Sequence, residues 1–290
     1  MTAPLTWRQV QDETADILGS AHDARVLVEE AAGFTSAELV VRLDEVVPAR
    51  AGVYLAAMVE RRAAGEPLQY TLGHWGFRSL DLMVDRRVLI PRPETEQVTE
   101  IAIEEARRLA AQPERAASQP LTLADLGTGS GAIALSLAAE LKGAQVWATD
   151  CSAEALDVAS ANLCGLAGFA ATRVRLVEGS WFAALPASVR GQLDLVVSNP
   201  PYVGDDEALP PEVADWEPAP ALRAGPSGLE CLKAIVAEAP RWLARPGSLV
   251  VELAPHQAEE VAAWADAAGF TSVSVMPDLA GRARTLVARR

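Results

Sequence analysis

The apolar positions divide the chain into two regions of different period. Up to about residue 65 they recur every three or four residues: Val10, Ile17 and Leu18, then Val26, Leu27 and Ala31, then Leu39, Val40 and Leu43. This spacing sets apolar side chains along one face of successive helices. Gly19-Ser20, Gly33-Phe34-Thr35-Ser36 and Val47-Pro48 are the expected breaks between them. Glycine closes a helix, Ser and Thr open one, and proline cannot continue one. From Gln69 to Pro93 the pattern shortens to extended runs, Tyr70-Thr71-Leu72-Gly73, Trp75-Gly76-Phe77 and Leu80-Asp81-Leu82-Met83-Val84, which predict a hairpin. Pro91 and Pro93 bracket Arg92, Glu94 opens a helix to about Ala111, and the polar stretch from Gln112 to Pro120 predicts a loop.

Beyond Leu121 the period alternates. Short β-rich runs over 121–126, 144–150, 173–178, 193–198, 248–254, 271–276 and 284–289 predict strands. Helical patterns over 131–141, 153–164, 228–244 and 256–268 lie between several of them. Alternation of this kind implies an α/β fold, a Rossmann-like and mostly parallel sheet covered on both faces. The expected organisation is a helical domain over residues 1–68, a β-hairpin linker over 69–93 and the α/β domain over 94–290. A ligand of such a sheet sits beyond the carboxyl ends of the strands, near the switch in strand order.

Composition narrows the class of function. Of 290 residues, 50% are hydrophobic and 22% charged, which excludes global disorder. No run approaches the ~20 apolar residues needed to cross a bilayer, and Arg8, Asp12 and Glu13 interrupt the amino terminus before an apolar segment can form. A soluble, cytoplasmic, non-secreted chain without a membrane partner is expected. The net charge of −14, from 39 acids against 25 bases, disfavours direct binding to a nucleic-acid backbone. Cys151, Cys164 and Cys231 lie far apart with no Cys-x-x-Cys pair, and the three histidines are scattered, so neither a disulfide framework nor a metal site is expected.

Two motifs carry chemistry. Asp125-Leu126-Gly127-Thr128-Gly129-Ser130-Gly131-Ala132 stands between the first α/β strand and its helix, where glycines let a ligand approach the backbone. Asp150 ends the next strand, where a carboxylate can accept both hydroxyls of a ribose. This pair points to a nucleoside cofactor without choosing one, because Gly127, Gly129 and Ala132 also satisfy the dinucleotide spacing. Asn199-Pro200-Pro201-Tyr202 follows the fourth strand, and it distinguishes them. Consecutive prolines fix the turn and supply no amide donors. The turn therefore offers acceptors, the Asn199 side-chain oxygen and the Pro200 carbonyl, and Tyr202 adds a flat face. Two acceptors aimed into one pocket can hold both hydrogens of an –NH2 group, which suits methyl transfer to a planar, conjugated amino nitrogen.

With these motifs, the chain resembles the S-adenosylmethionine-dependent amino methyltransferases. Within that class it is similar to the N5-glutamine methyltransferases of peptide chain release factors. Gly73-His74-Trp75-Gly76-Phe77, Leu89-Ile90-Pro91-Arg92-Pro93-Glu94-Thr95-Glu96, Ser180-Trp181-Phe182 and Asp278-Leu279-Ala280-Gly281-Arg282-Ala283-Arg284 carry the likeness from about Gly65 to the carboxyl terminus. The Ile-Pro-Arg-Pro-Glu-Thr-Glu segment separates it from DNA adenine methyltransferases, which share Asn-Pro-Pro-Tyr. The resemblance implies a seven-stranded methyltransferase domain behind a helical substrate-recognition domain, and class-1 release factors as the protein substrate. It implies that Gly127, Thr128, Gly129, Ser130 and Gly131 wrap the methionine part of S-adenosylmethionine, Asp150 the ribose and Trp181 the adenine. Asn199, Pro200, Pro201 and Tyr202 would receive the substrate glutamine, with Asn199, Pro200 and Tyr202 catalytic, Asn199 also near the cofactor, and Phe77 and Arg92 closing the pocket. Ser180 stands where the family often has an acid, and Ala254-Pro255 replaces a usual glycine. The competing readings are glutamine methylation of a ribosomal protein, adenine N6 methylation, a NAD-binding oxidoreductase that leaves Asn-Pro-Pro-Tyr unexplained, and a silent cofactor-binding scaffold.

Overall fold

The computed structural model describes residues 4–113, 119–166 and 168–290. The centre of the loop expected between Gln112 and Pro120, residues 114–118, lies outside the described residues. Two compact units are present, one of residues 1–74 with 210–216 and one of residues 75–209 with 217–290.

The first unit is built from α1 (Trp7–Leu18), α2 (Ala21–Ala32), α3 (Ser36–Arg42), α4 (Ala49–Ala63) and the short α5 (Leu68–Leu72). Its breaks are chemical. Gly19 and Gly33 close α1 and α2 with φ of 63° and 65°, a conformation that favours glycine. Thr35 opens α3 through a capping box with Glu38. Trp7, Leu27, Val28, Leu39, Leu55, Met58 and Val59 form the core of this bundle. Ile17 and Val40, expected on apolar faces, are exposed instead. The seven residues of α3 make only about two turns, so Leu39 takes the inward position and Val40 points away.

Tyr70-Thr71-Leu72, expected to be extended, is helical. Pro67 precedes α5 and Gly73 ends it at φ 84°, so a proline and a glycine isolate a single helical turn that apolar alternation does not reveal. The hairpin is therefore confined to β1 (His74–Phe77) and β2 (Leu80–Met83). After it comes α6 (Pro93–Ala110), whose proline sits at the first helical position.

The second unit then follows the expected alternation, in the order β3 (Thr122–Leu126), α7 (Ala132–Glu140), β4 (Gln145–Asp150), α8 (Ala153–Gly165), β5 (Val174–Glu178) and β6 (Leu193–Ser198). After β6 the chain forms α9 (Pro211–Ala214), which belongs to the first unit, and then α10 (Ala219–Leu222). It closes with α11 (Glu230–Trp242), β7 (Leu243–Glu252), α12 (Ala258–Ala267), β8 (Ser272–Pro277) and β9 (Ala283–Arg289). The seven-stranded sheet has the order β5-β4-β3-β6-β7-β9-β8, with β9 antiparallel to both neighbours. Strand order reverses between β3 and β6, which pair in parallel. The carboxyl ends of these two strands carry the two motifs, and Ser198 Oγ donates to the Leu126 carbonyl across them at 2.6 Å.

Side chains alternate between two cores, as they must in a sheet covered on both faces. Leu123, Leu195, Val197 and Val250 face the core containing α6 and α7. Ala124, Val196, Leu249 and Val251 face the core containing α11 and α12. Among the described residues no helix is long and apolar enough to cross a membrane.

Candidate active site

A cavity of about 420 Å³ opens at the carboxyl ends of β3, β4 and β6. Of the residues singled out in the sequence, Gly127, Thr128, Gly129, Ser130, Asp150, Trp181, Asn199, Pro201 and Arg92 line it. Gly131, Pro200, Tyr202 and Phe77 do not, and each has another place. Gly131 turns the chain into α7 at φ 86°. Pro200 is buried beneath the turn, and Tyr202 reaches back toward β7. Phe77, expected to help close the pocket, is 1% exposed in the core beside Leu82 and Val98, because it is the inward-facing residue of a hairpin strand.

The glycine turn is held from several directions. The amides of Gly127 and Thr128 both donate to the Thr149 carbonyl, at 2.8 and 2.9 Å. Gly129 N donates to Asp150 Oδ2 and Ser152 N to Oδ1, each at 2.9 Å, which fixes the Asp150 carboxylate at the cavity edge. Asn162 links the Met83 backbone to the Ser130 carbonyl, so the hairpin and α8 brace the turn. Gly127 has φ 73°, and a Cβ there would stand 3.3 Å from the Trp181 ring. The indole therefore lies close against a backbone that only glycine leaves open. Trp181 itself sits at φ 45°, a costly region for a bulky side chain.

Beneath the turn lies Asp125, fully buried. Its Oδ2 accepts from Thr128 Oγ1 at 2.6 Å and from Ala134 N at 3.1 Å, while Oδ1 has no partner. Burial pushes this carboxyl up to about 7, against the pull of its two hydrogen bonds. The sign of the consequence follows from linkage. The unfolded acid ionises at lower pH than the folded one, so the native state binds the extra proton and stability falls as pH rises from about 4 to 7. For a wholly buried group this loss is on the order of a few kcal/mol. Melting of the wild type against Asp125→Asn across that range should show the decline shrinking in the variant. Equal slopes would exclude Asp125 as its source.

The Asn-Pro-Pro-Tyr turn is fastened by later loops. Gln257 Nε2 donates to the carbonyls of Tyr202 and Gly228, at 2.9 and 3.0 Å. Val203 exchanges backbone hydrogen bonds with Leu222 and Ala224. Gly228 has φ 74°, and a Cβ would come within 2.7 Å of the Tyr202 carbonyl oxygen and 2.9 Å of Gly204 N. Both obstacles are backbone, so Gly228→Ala should lower stability by about 2 kcal/mol or more and displace the turn. Thermal melting and turnover measure the two effects, and a melt unchanged within 1 °C would contradict the close approach.

Three residues that the sequence reading left without a role complete the site. Glu217, almost fully buried, pairs with Arg92 and accepts from Ile90 N at 3.0 Å, anchoring the Ile-Pro-Arg-Pro segment at the cavity wall. Thr95 Oγ1 donates to Glu252 Oε2 at 2.7 Å, and Asn199 Nδ2 donates to Thr95 Oγ1 at 3.1 Å. The other carboxylate oxygen, Glu252 Oε1, accepts from the Tyr202 hydroxyl at 3.2 Å. Burial pushes the Glu252 carboxyl up, opposed by the Thr95 and Tyr202 hydrogen bonds and the charge of Arg284. The Tyr202 phenol is also pushed up, by burial and by the Glu252 charge, so it remains a donor. Ala254, the residue in the departing Ala-Pro pair, donates its amide to Gln257 Oε1 at 3.0 Å and starts a short 3₁₀ turn. Among the described residues no cluster of three or more His, Cys, Asp or Glu is arranged to hold a metal ion.

The strand order, the glycine turn on β3, the carboxylate ending β4 and the proline turn after β6 together define a Rossmann-like methyltransferase. The known proteins agree. Residues 9–73 match the family described as the PrmC N-terminal domain, and residues 109–213 the methyltransferase small domain. The chain is 40% identical to the release factor glutamine methyltransferase of Cereibacter sphaeroides, over 95% of this chain and 93% of that one. It is 43% identical to the release factor glutamine methyltransferase of Moorella thermoacetica, over 92% and 90%. The chain belongs to the release factor glutamine methyltransferase family. In fold it is also similar to the hMettl16 catalytic domain solved with the MAT2A 3'UTR hairpin 6, at a TM-score of 0.53 and 16% identity over 82% of this chain and 80% of that one.

Proposed function

We propose that this enzyme transfers a methyl group from S-adenosylmethionine to the side-chain amide nitrogen, N5, of the glutamine in the Gly-Gly-Gln motif of class-1 peptide chain release factors, supporting translation termination. The observation that carries the reading is the Asn199 turn and the glycine turn lining one cavity. The near full-length identity to release factor glutamine methyltransferases supports the substrate.

The cavity residues fit the cofactor. A cradle that a Cβ would fill at Gly127, the Trp181 ring against it and the fixed Asp150 carboxylate suit a nucleoside with a short charged tail. Gly127, Thr128, Gly129 and Ser130 would hold the methionine part, Asp150 the ribose and Trp181 the adenine, with Gly131 turning the chain behind the first four. When bound, S-adenosylmethionine supplies an electrophilic methyl group on a sulfonium.

The protein's task is to prepare the amide. A glutamine nitrogen is a poor nucleophile because its lone pair is delocalised into the carbonyl. The Asn199 side-chain oxygen, which lines the cavity, would accept one of its two hydrogens, and the carbonyl of Pro200, a residue buried beneath the turn, would accept the other, leaving the remaining lobe for the electrophile. Positioning of this kind can supply roughly 7–11 kcal/mol. These hydrogen bonds strengthen as the nitrogen gains positive charge, so they favour the transition state over bound substrate. Formation of the N–C bond would be matched by cleavage of the sulfonium S–C bond, leaving a neutral thioether, and the positively charged methylated nitrogen, strongly acidic, would release one proton to solvent.

The test is transfer of labelled methyl from S-adenosylmethionine to a purified class-1 release factor. A Gly-Gly-Gln to Gly-Gly-Ala release factor, ribosomal protein and duplex DNA run in parallel. Label on the intact factor alone is expected. Label on DNA or ribosomal protein instead would overturn the substrate, and no label anywhere with cofactor still bound would favour a silent scaffold.

A further inference from the structure

An asparagine amide presents opposite chemistry at its two ends, an acceptor oxygen and a donor –NH2 group. If Asn199 receives a substrate –NH2, only the oxygen serves, and an amide turned end for end would set two donors against each other. Packing alone distinguishes the two orientations poorly, since oxygen and –NH2 are almost the same size. Something must decide which end faces the cavity.

We propose that Glu252 and Thr95 are positioning residues that set the orientation of the Asn199 amide, so that its oxygen faces the substrate. The inference rests on the proposed role of Asn199 and extends it to Thr95, which also lines the cavity, and to Glu252, which does not. Glu252 ends β7, 1% exposed, and as a carboxylate it only accepts hydrogen bonds. Each oxygen is engaged by a hydroxyl, Oε1 by Tyr202 and Oε2 by Thr95. Thr95 has one proton, and it points at Glu252 at 2.7 Å. Its oxygen is then left with lone pairs only, so the group 3.1 Å away on Asn199 must be the donor, Nδ2. No described protein group donates to Asn199 Oδ1, which remains available to the cavity that Asn199 lines.

The sequence of bonds is directional from end to end. Glu252, an acceptor at both oxygens, fixes one proton, that proton fixes a lone pair, and the lone pair fixes an amide. The same carboxylate holds Tyr202, three residues after Asn199, so one buried acid orders both ends of the turn. Thr95 is itself held in place on the first turn of α6, where its carbonyl accepts from Thr99 Oγ1 at 2.8 Å.

The test compares Thr95→Val, which keeps the shape without the hydroxyl, with Thr95→Ser, which keeps the hydroxyl. Thr95→Val should lower kcat roughly 10- to 100-fold with little change in KM for the release factor, the size expected when one oriented hydrogen bond to the reacting group is lost. Thr95→Ser should recover most of the rate. Cofactor affinity by calorimetry should differ little between the two, while Thr95→Val should melt lower because Glu252 Oε2 loses its buried donor; if valine is not tolerated, Thr95→Ala takes its place. The same substitution in an Asn199→Ala background should cost almost nothing further, because no amide is left to orient. Thr95→Val with near wild-type kcat, or an equal loss in both backgrounds, would overturn the proposal. Absence of glutamine methylation by the wild type would instead overturn the function on which it rests.

Discussion

Asn199→Ala is expected to lower kcat about 10²- to 10³-fold while cofactor affinity changes only a few-fold. That magnitude is typical for removing one preorganised hydrogen-bonding group that acts on developing charge. The side chain lines the cavity from a turn held by Gln257 and by the backbone of Val203, so its loss should leave the surrounding chain in place. Asn199→Asp should fare no better despite supplying two acceptors. Its carboxylate would stand one hydroxyl away from buried Glu252, and two like charges in such surroundings favour protonation of one of them. The fraction that stays ionised sets a carboxylate oxygen against the Thr95 lone pair, where Asn199 supplied a donor, and this repulsion should push the acceptor out of position. Single-turnover methyl transfer to release factor, alongside calorimetric titration of S-adenosylhomocysteine, separates the two quantities. Near-normal turnover in both variants would remove Asn199 from the chemistry. A parallel collapse of cofactor binding would recast it as a cofactor ligand.

The contrast between Asn199 and its supports shows what a sequence can disclose. Strand and helix positions beyond Leu121 were legible because a doubly covered parallel sheet demands apolar runs of characteristic length. Each strand found there begins within two residues of its expected start, except β7. That strand starts five residues early, through Arg245-Pro246-Gly247, where proline and glycine disguise an edge of the pattern. The glycine turn, Asp150 and the proline turn were legible because each side chain or backbone requirement is local. Glu252, Thr95 and Glu217 were not, since their roles depend on partners 157, 104 and 125 residues away in the chain. A carboxylate ending a buried strand and a threonine in the first turn of a helix carry no mark of their partnership until the fold brings them together. Phe77 is the opposite case. Its aromatic ring stood in a segment rich in family likeness, yet the alternation of the hairpin sends it into the core.

Asp150→Ala is expected to weaken cofactor binding about 100-fold or more, with kcat at saturating cofactor reduced far less. The side chain ends β4 at the cavity edge, and its two oxygens are already oriented by the amides of Gly129 and Ser152. Each carboxylate oxygen can accept further hydrogen bonds, so this preset geometry matches the paired hydroxyls of a ribose. Hydrogen bonds to a charged acceptor contribute about 1.5–3 kcal/mol each, and loss of two such bonds corresponds to at least the stated change. The glycine turn also loses one anchor, but the Thr149 carbonyl continues to hold Gly127 and Thr128. Asp150→Asn provides the discriminating comparison. It preserves size and can keep one backbone amide satisfied, while replacing an acceptor oxygen with a donor. If charge and acceptor count govern the site, the asparagine variant should bind S-adenosylhomocysteine nearly as poorly as the alanine one. Recovery of wild-type affinity in Asp150→Asn would instead locate the function of Asp150 in shaping the Gly129 turn.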